Sequence, residues 1–237
     1  MNKKLQVYSH VRSGTHFLMS SLKNNFYQTQ DLSTSVQKFG HWSEQSDYKR
    51  FFTNIEGKNS YVCEWGGLFG GHNYTPTTKP WSKQNSIYIV RDGRDVVVSM
   101  YNMSSFRSAE DQDKSFENYL RSNLDWTGAP EKRVEPFQNP IKHWCESVSS
   151  WLESGVYTVK YEDMITNFDD VMIKIANNFQ LSCEKAEFVS PPLVGLDPKK
   201  GKNGNWKNYF NNKDEQYFND ILELYPSIRQ LIYNEDK

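Results

Sequence analysis

Cysteine is scarce in this chain of 237 residues: Cys63, Cys145 and Cys183 are odd in number, far apart and in no C-x-x-C pattern. That excludes a disulfide framework and a cysteine-rich zinc site, and it fits a reducing compartment. Long apolar runs are missing too; none approaches the roughly 20 residues that a membrane-spanning helix needs. Neither sign of charge prevails, because 28 Lys+Arg stand against 29 Asp+Glu for a net charge of -1. Such a balance argues against a general binder of nucleic acid or of anionic membranes. The basic start Met1-Asn2-Lys3-Lys4 leads into a mixed segment rather than an apolar one, so no secretory leader is expected. The pattern G-x-x-x-x-G-K-[ST] is absent, which removes an ordinary ATP phosphate loop. Repeats, low-complexity tracts and linkers are also lacking, and no His/Cys/Asp cluster has metal-ligand spacing. A soluble cytoplasmic protein of one domain, residues 1–237, is the expectation.

What the chain does have is aromatic side chains, 15% of the total, and an alternation of strand and helix patterns. Residues around Val7 suit a strand, which turns through Arg12-Ser13-Gly14-Thr15 into an apolar helical segment at 17–22. Residues 24–59 are weakly periodic and read as loops and short helices on one side of the core. A second strand is expected at 60–65, followed by a glycine loop (Gly66, Gly67, Gly70, Gly71) that ends at His72. Ser86-Ile87-Tyr88-Ile89-Val90-Arg91 is a near-continuous apolar run of the kind buried on both faces of a parallel sheet. Asp92-Gly93-Arg94-Asp95 turns the chain, and a helix is expected over 96–103. Further helices are predicted near 116–124, at 141–152 (ended by Gly155), at 168–179 and within 214–232, with another strand at 156–161. The fold class that follows is α/β: a central parallel sheet flanked by helices, with a phosphate-loop-like turn after the first strand. Residues 39–83 and 104–140 read as acceptor-pocket or lid segments.

Three basic stretches sit where a strand or loop meets a helix. The first is the Arg12 turn, where glycine permits close backbone approach, helix amides point outward and Arg12 adds a permanent charge. The second is Arg91 at the carboxyl end of the apolar strand, with Ser99 two helical turns on. That strand end is where ligands collect in open α/β sheets, although Arg91 and Asp95 also suit a plain salt-bridged turn. The third is Lys199-Lys200-Gly201-Lys202-Asn203-Gly204-Asn205-Trp206-Lys207, which by itself reads as a solvated loop.

Taken together, these stretches resemble a known family. Val11-Arg12-Ser13-Gly14-Thr15-His16-Phe17 resembles the 5′-phosphosulfate loop of sulfotransferases that use 3′-phosphoadenosine 5′-phosphosulfate (PAPS). The segment from Tyr88 to Ser99 is similar to that family's 3′-phosphate motif. The Lys199-to-Lys207 segment resembles its late Arg-Lys-Gly…Gly-Asp-Trp-Lys loop, and Lys160-Tyr161-Glu162-Asp163-Met164 its Arg-Tyr-Glu-Asp-Leu/Met segment. The four motifs occur in the family's order.

The resemblance implies transfer of a sulfuryl group from PAPS to an acceptor, leaving adenosine 3′,5′-bisphosphate (PAP), with no metal. Arg12 takes the place of a family Lys or Arg at the phosphosulfate, with Ser13, Gly14, Thr15 and His16 supplying loop amides and hydroxyls. Phe17 stands where the family often has tryptophan, either beside the adenine or in the core. Arg91 and Ser99 are expected at the 3′-phosphate with Lys199, Lys200 and Gly201, and Tyr161 by the adenine. Glu162 and Asp163 are expected to cap or brace the following turn. The general base is open between His72, whose imidazole titrates in the right range, and Glu64 on the second strand. His10, His16, His41 and His143 are read as structural or surface groups. A small hydroxylated or amine-bearing acceptor is expected, a carbohydrate being the alternative. A non-catalytic PAPS- or PAP-binding module and a phosphate-loop nucleotide kinase are the competing classes, and oligomeric state is not legible.

Overall fold

The computed structural model describes residues 5–26, 49–55, 58–65, 68–71, 76, 83–103, 113–125, 137–182, 188 and 203–233. For 49–55, 58–65, 68–71, 125 and 137 the description is of backbone alone. Strand β1 (Leu5–Ser9) leads through the Arg12 turn into helix α1 (Thr15–Asn25). Three strands follow, β2 (Lys49–Ile55), β3 (Lys58–Trp65) and β4 (Leu68–Gly71). Then come β5 (Ser86–Val90), α2 (Gly93–Tyr101), α3 (Phe116–Arg121), and the two-residue strands β6 (Leu124–Asp125) and β7 (Phe137–Gln138). Helix α4 (Pro140–Glu153), β8 (Tyr157–Lys160), α5 (Tyr161–Thr166), α6 (Phe168–Phe179), α7 (Asn212–Leu222) and α8 (Pro226–Ile232) complete the order.

The main sheet runs β2-β3-β4-β1-β5-β8. Its β4, β1, β5 and β8 are mutually parallel, while β2 and β3 extend it antiparallel at one edge. The parallel core is the one expected from the sequence, but the edge corrects two readings. The glycine-rich 66–71 stretch is not all loop: Leu68-Phe69-Gly70-Gly71 is a strand, hydrogen-bonded to β1 on one side and to β3 on the other. Its weak intrinsic strand preference is overridden because both neighbours supply ladder partners. Within 24–59, read as loops and short helices, β2 pairs along its whole length with β3. Part of the 39–83 segment assigned to the acceptor pocket is therefore the edge of the main sheet. Helix α2 also begins at Gly93 rather than 96, because the Asp92 carboxylate caps it by accepting from the Arg94 N–H at 2.9 Å.

Successive side chains of a strand point to opposite faces, and this divides the core in two. Val7, Ile87 and Ile89 pack with Leu18 and Leu22 of α1, Met164 of α5 and Ile175 of α6. Tyr8, Tyr88 and Val90 face the other way, against Val96 of α2, Trp144 and Trp151 of α4, Phe218 of α7 and Ile228 of α8. Trp151 stacks on both tyrosines, with ring centroids 4.7 Å from Tyr8 and 5.2 Å from Tyr88. Such aromatic pairs contribute about 0.5–1.5 kcal/mol each beyond the area they bury. The strands thus meet the turns that follow them at one well-supported edge. No helix among the described residues is long and apolar enough to cross a membrane.

Candidate functional site

The turn after β1 is held in an unusual backbone conformation. Arg12 has φ 66° and Gly14 φ 98°, both in the left-handed region. A non-glycine residue there costs about 1–2 kcal/mol, and such costs concentrate at functional sites. The turn closes by Ser13 N–H donating to His10 C=O at 3.3 Å, and Ser9 and Thr15 share a hydrogen bond between their hydroxyls. His10 Nδ1 lies 2.9 Å from the Val11 carbonyl and its Nε2 lies 2.8 Å from Nδ1 of buried His143, so both histidines brace the turn from behind. Gly14 is the N-cap of α1 and offers no side-chain cap to the first amides of that helix. Ser13 is fully buried, and its hydroxyl has no hydrogen-bond partner among the described residues. A buried, unsatisfied hydroxyl beside uncapped helix amides and an arginine fits an oxyanion ligand.

Arg12 does not stand alone. Its Nε donates to Ser99 Oγ at 3.0 Å, joining the first motif to the second, 87 positions further along the chain. Ser99 lies beside Arg12 because α2 passes close to the turn. Desolvation lowers the Arg12 pKa, and the charge of Arg91 lowers it further. Two guanidinium groups near one another are an arrangement that an anion between them would relieve. Arg91 is buried at 5% exposure, pairs with Asp95 through Nη2–Oδ2 at 3.5 Å, and lies 4.7 Å over the Tyr161 ring. The salt-bridged turn that the sequence allowed at Arg91 and Asp95 is thus present.

Tyr161 begins α5 and packs on Gly14 so closely that a Cβ there would lie 2.9 Å from the ring Cε2 and nearer still to Cδ2. Glycine at 14 is therefore required twice, by its φ and by the tyrosine. Phe17 is buried in the core, 5.9 Å from Tyr161 and 6.3 Å from Phe168 by ring centroids. His16 is exposed. Glu162 braces the turn before α2 rather than the one after it, accepting from the Asp92 N–H at 3.0 Å. Desolvation raises the Glu162 pKa against the lowering by that amide.

The third motif is described from Asn203 onward; Lys199, Lys200 and Gly201 lie outside the described residues, as do His72 and His41. Its visible part is clamped to α2. Asp95 accepts from the Gly204 N–H at 2.8 Å and from the Trp206 N–H at 3.0 Å. Arg94 pairs with Asp92 at 2.6 Å and lies 4.0 Å over Trp206, and the Tyr233 hydroxyl donates to Asp92 at 3.0 Å. These clamps escaped sequence reasoning, since nothing local marks Asp95 as the acceptor for amides 109 and 111 positions away.

Of the two base candidates, only Glu64 falls on a described element, and there as backbone. It pairs with Phe69, which pairs with Gln6, so it sits level with the start of β1. The Arg12 turn leaves from the opposite end of that strand. Gly71, the last residue of β4, pairs with Tyr8 near that same end.

The Arg12 turn, Arg91, Ser99 and Tyr161 thus form one basic edge of a parallel α/β sheet. Residues 74–189 match the family model described as "Sulfotransferase domain". The match takes in the Arg91–Ser99 and Tyr161 motifs and leaves out the Arg12 turn and the 203–207 loop. The fold is similar to that of mouse sulfotransferase SULT7A1, crystallised in complex with PAP. That likeness has TM-score 0.55 at 16% identity and covers 98% of this chain and 85% of the mouse chain. No curated protein sequence matches the chain. The family-model match covers just under half of the chain, and the structural likeness shows a fold shared with that sulfotransferase.

Proposed function

We propose that this protein transfers a sulfuryl group from PAPS to a hydroxyl or amine of a small-molecule acceptor. The observation that carries the reading is the Arg12–Ser99 hydrogen bond with Arg91 beside it. It brings together two motifs read separately from the sequence, which supports a shared anion site. PAPS supplies an activated sulfate whose phosphate is the leaving group. The acceptor oxygen or nitrogen attacks sulfur, the bond from sulfur to the 5′-phosphate oxygen breaks, and the electron pair stays on that oxygen. The acceptor's proton passes to a base. Arg12 stabilises the charge gathering on the leaving oxygen; as a guanidinium it does not give up its proton near neutral pH. Ser13 and the first amides of α1 hold the 5′ end, Arg91 the 3′-phosphate, and Tyr161 flanks the adenine. Lys199, Lys200 and Gly201 complete the 3′-phosphate contacts in this reading. Ser99 orients Arg12 and joins Arg91 at the 3′-phosphate in this reading.

For the base, the reading favours His72 over Glu64. The residue before His72 closes β4 level with Tyr8, on the edge of the Arg12 turn, whereas Glu64 pairs at the other end. The protein acts in the cytoplasm, on neither nucleic acid nor membrane. Calorimetric titration with PAP beside 5′-AMP, for wild type and Arg91→Ala, tests the nucleotide site. Tight binding that needs the 3′-phosphate and is lost with Arg91 is expected; equal binding of both nucleotides refutes the reading. A turnover assay over an acceptor panel then separates enzyme from binding module. His72→Ala should lower kcat by about 10²–10⁴-fold with PAP affinity kept, as for loss of a general base, and Glu64→Ala should not.

A further inference from the structure

Asp95 holds two hydrogen-bond donors and one ion-pair partner on one carboxylate. Its Oδ2 takes the Gly204 N–H at 2.8 Å and lies 3.5 Å from Arg91 Nη2, while its Oδ1 takes the Trp206 N–H at 3.0 Å. The side chain is 1% exposed, so these partners stand in for water. The turn it grips is itself fixed: Gly204 holds φ 78°, and Trp206 is covered by Arg94 at 4.0 Å. Charge-assisted hydrogen bonds of this kind are short and directional. They determine where the carboxylate sits, and the carboxylate determines where the Arg91 guanidinium sits, between Asp95 and the Tyr161 ring 4.7 Å away.

We propose that Asp95 is a positioning residue for 3′-phosphate selectivity. It transmits the placement of the 204–206 turn to Arg91, so that discrimination between nucleotides with and without a 3′-phosphate depends on a side chain that touches neither. This rests on the nucleotide reading given above. A residue serving the fold alone would affect all ligands alike; one that acts through Arg91 affects only those with a group for Arg91 to hold.

The experiment measures dissociation constants for PAP and 5′-AMP in wild type, Asp95→Asn, Arg91→Ala and the double variant, with thermal unfolding alongside. Asparagine keeps the shape, but its single acceptor oxygen cannot serve both amides and its NH₂ faces Arg91. Asp95→Asn should lower the preference for PAP over 5′-AMP by about tenfold, the scale of a lost charged hydrogen bond. In the Arg91→Ala background the same substitution should leave the preference unchanged. If Asp95→Asn weakens both nucleotides equally, or still alters the preference without Arg91, the proposal is overturned while the nucleotide reading stands. If wild type has no preference for PAP, both fall. Should Asp95→Asn not fold, Gly204→Ala probes the same chain of contacts. Its Cβ meets nothing within 4 Å, so it strains only the turn at φ 78°. It should lower the preference several-fold, and an unchanged preference overturns the proposal.

Discussion

Gly14→Ala tests the architecture of the site most directly, since two separate costs fall on one methyl group. The first is backbone: at φ 98° an L side chain is strained by about 1–2 kcal/mol. The second is packing, because the new Cβ lands on the edge of Tyr161, whose ring is 2% exposed and has Phe17 on one side and Arg91 over it. Forcing atoms into so close-packed a place costs about 1–3 kcal/mol. Together these give roughly 2–5 kcal/mol of lost stability, or a fall in Tm of roughly 4–20 °C for a chain of this size. The assay is urea and thermal unfolding of Gly14→Ala, Tyr161→Ala and the double variant. In the Tyr161→Ala background the methyl meets no ring, so only the backbone part, about 1–2 kcal/mol, should remain. PAP binding should weaken in the single variant, because a displaced Tyr161 no longer lies under Arg91. A loss below about 0.5 kcal/mol, the range of an ordinary surface change, would refute both the left-handed turn and its contact with Tyr161.

Ser13→Ala should leave stability within about 0.5 kcal/mol of wild type, since no hydrogen bond of that buried hydroxyl is made within the described residues, yet weaken PAP binding about 5–10-fold. Calorimetry and thermal unfolding measured together decide it; a drop in Tm with unchanged affinity would count against the anion site. Glu162→Gln reports on pH. Burial raises the folded-state pKa of Glu162, so its contribution to stability is fully present below the ordinary glutamate pKa and is lost as pH rises through the raised folded value. The stability of wild type relative to Glu162→Gln should therefore fall with rising pH across that window, read from urea unfolding at a series of pH values. A difference that stays flat, or rises, would show that the carboxyl is not desolvated as described.

Much of this protein is written locally. The apolar Ile87-Tyr88-Ile89-Val90 run, the spacing of Ile141, Trp144, Val148 and Trp151, and the pattern that produces α6 over Phe168–Phe179 are properties of short windows, and they determine strand or helix with little help. So do the four motifs, because turn chemistry and charge at a strand end are encoded within a few residues. The glycine-rich β4 and the edge strand β2 were not legible, since their hydrogen bonds are made to partners that only the folded sheet supplies. The same holds for the site's internal logic. Sequence marks Arg12, Ser99, Arg91 and Tyr161 as separate candidates, but a bond between residues 87 positions apart depends on how α2 crosses the turn after β1. The carboxylate of Asp95 is likewise an ordinary helix-start residue until the fold brings the Gly204 and Trp206 amides to it. Local chemistry fixes which groups can bind an anion; only long-range packing decides which of them meet.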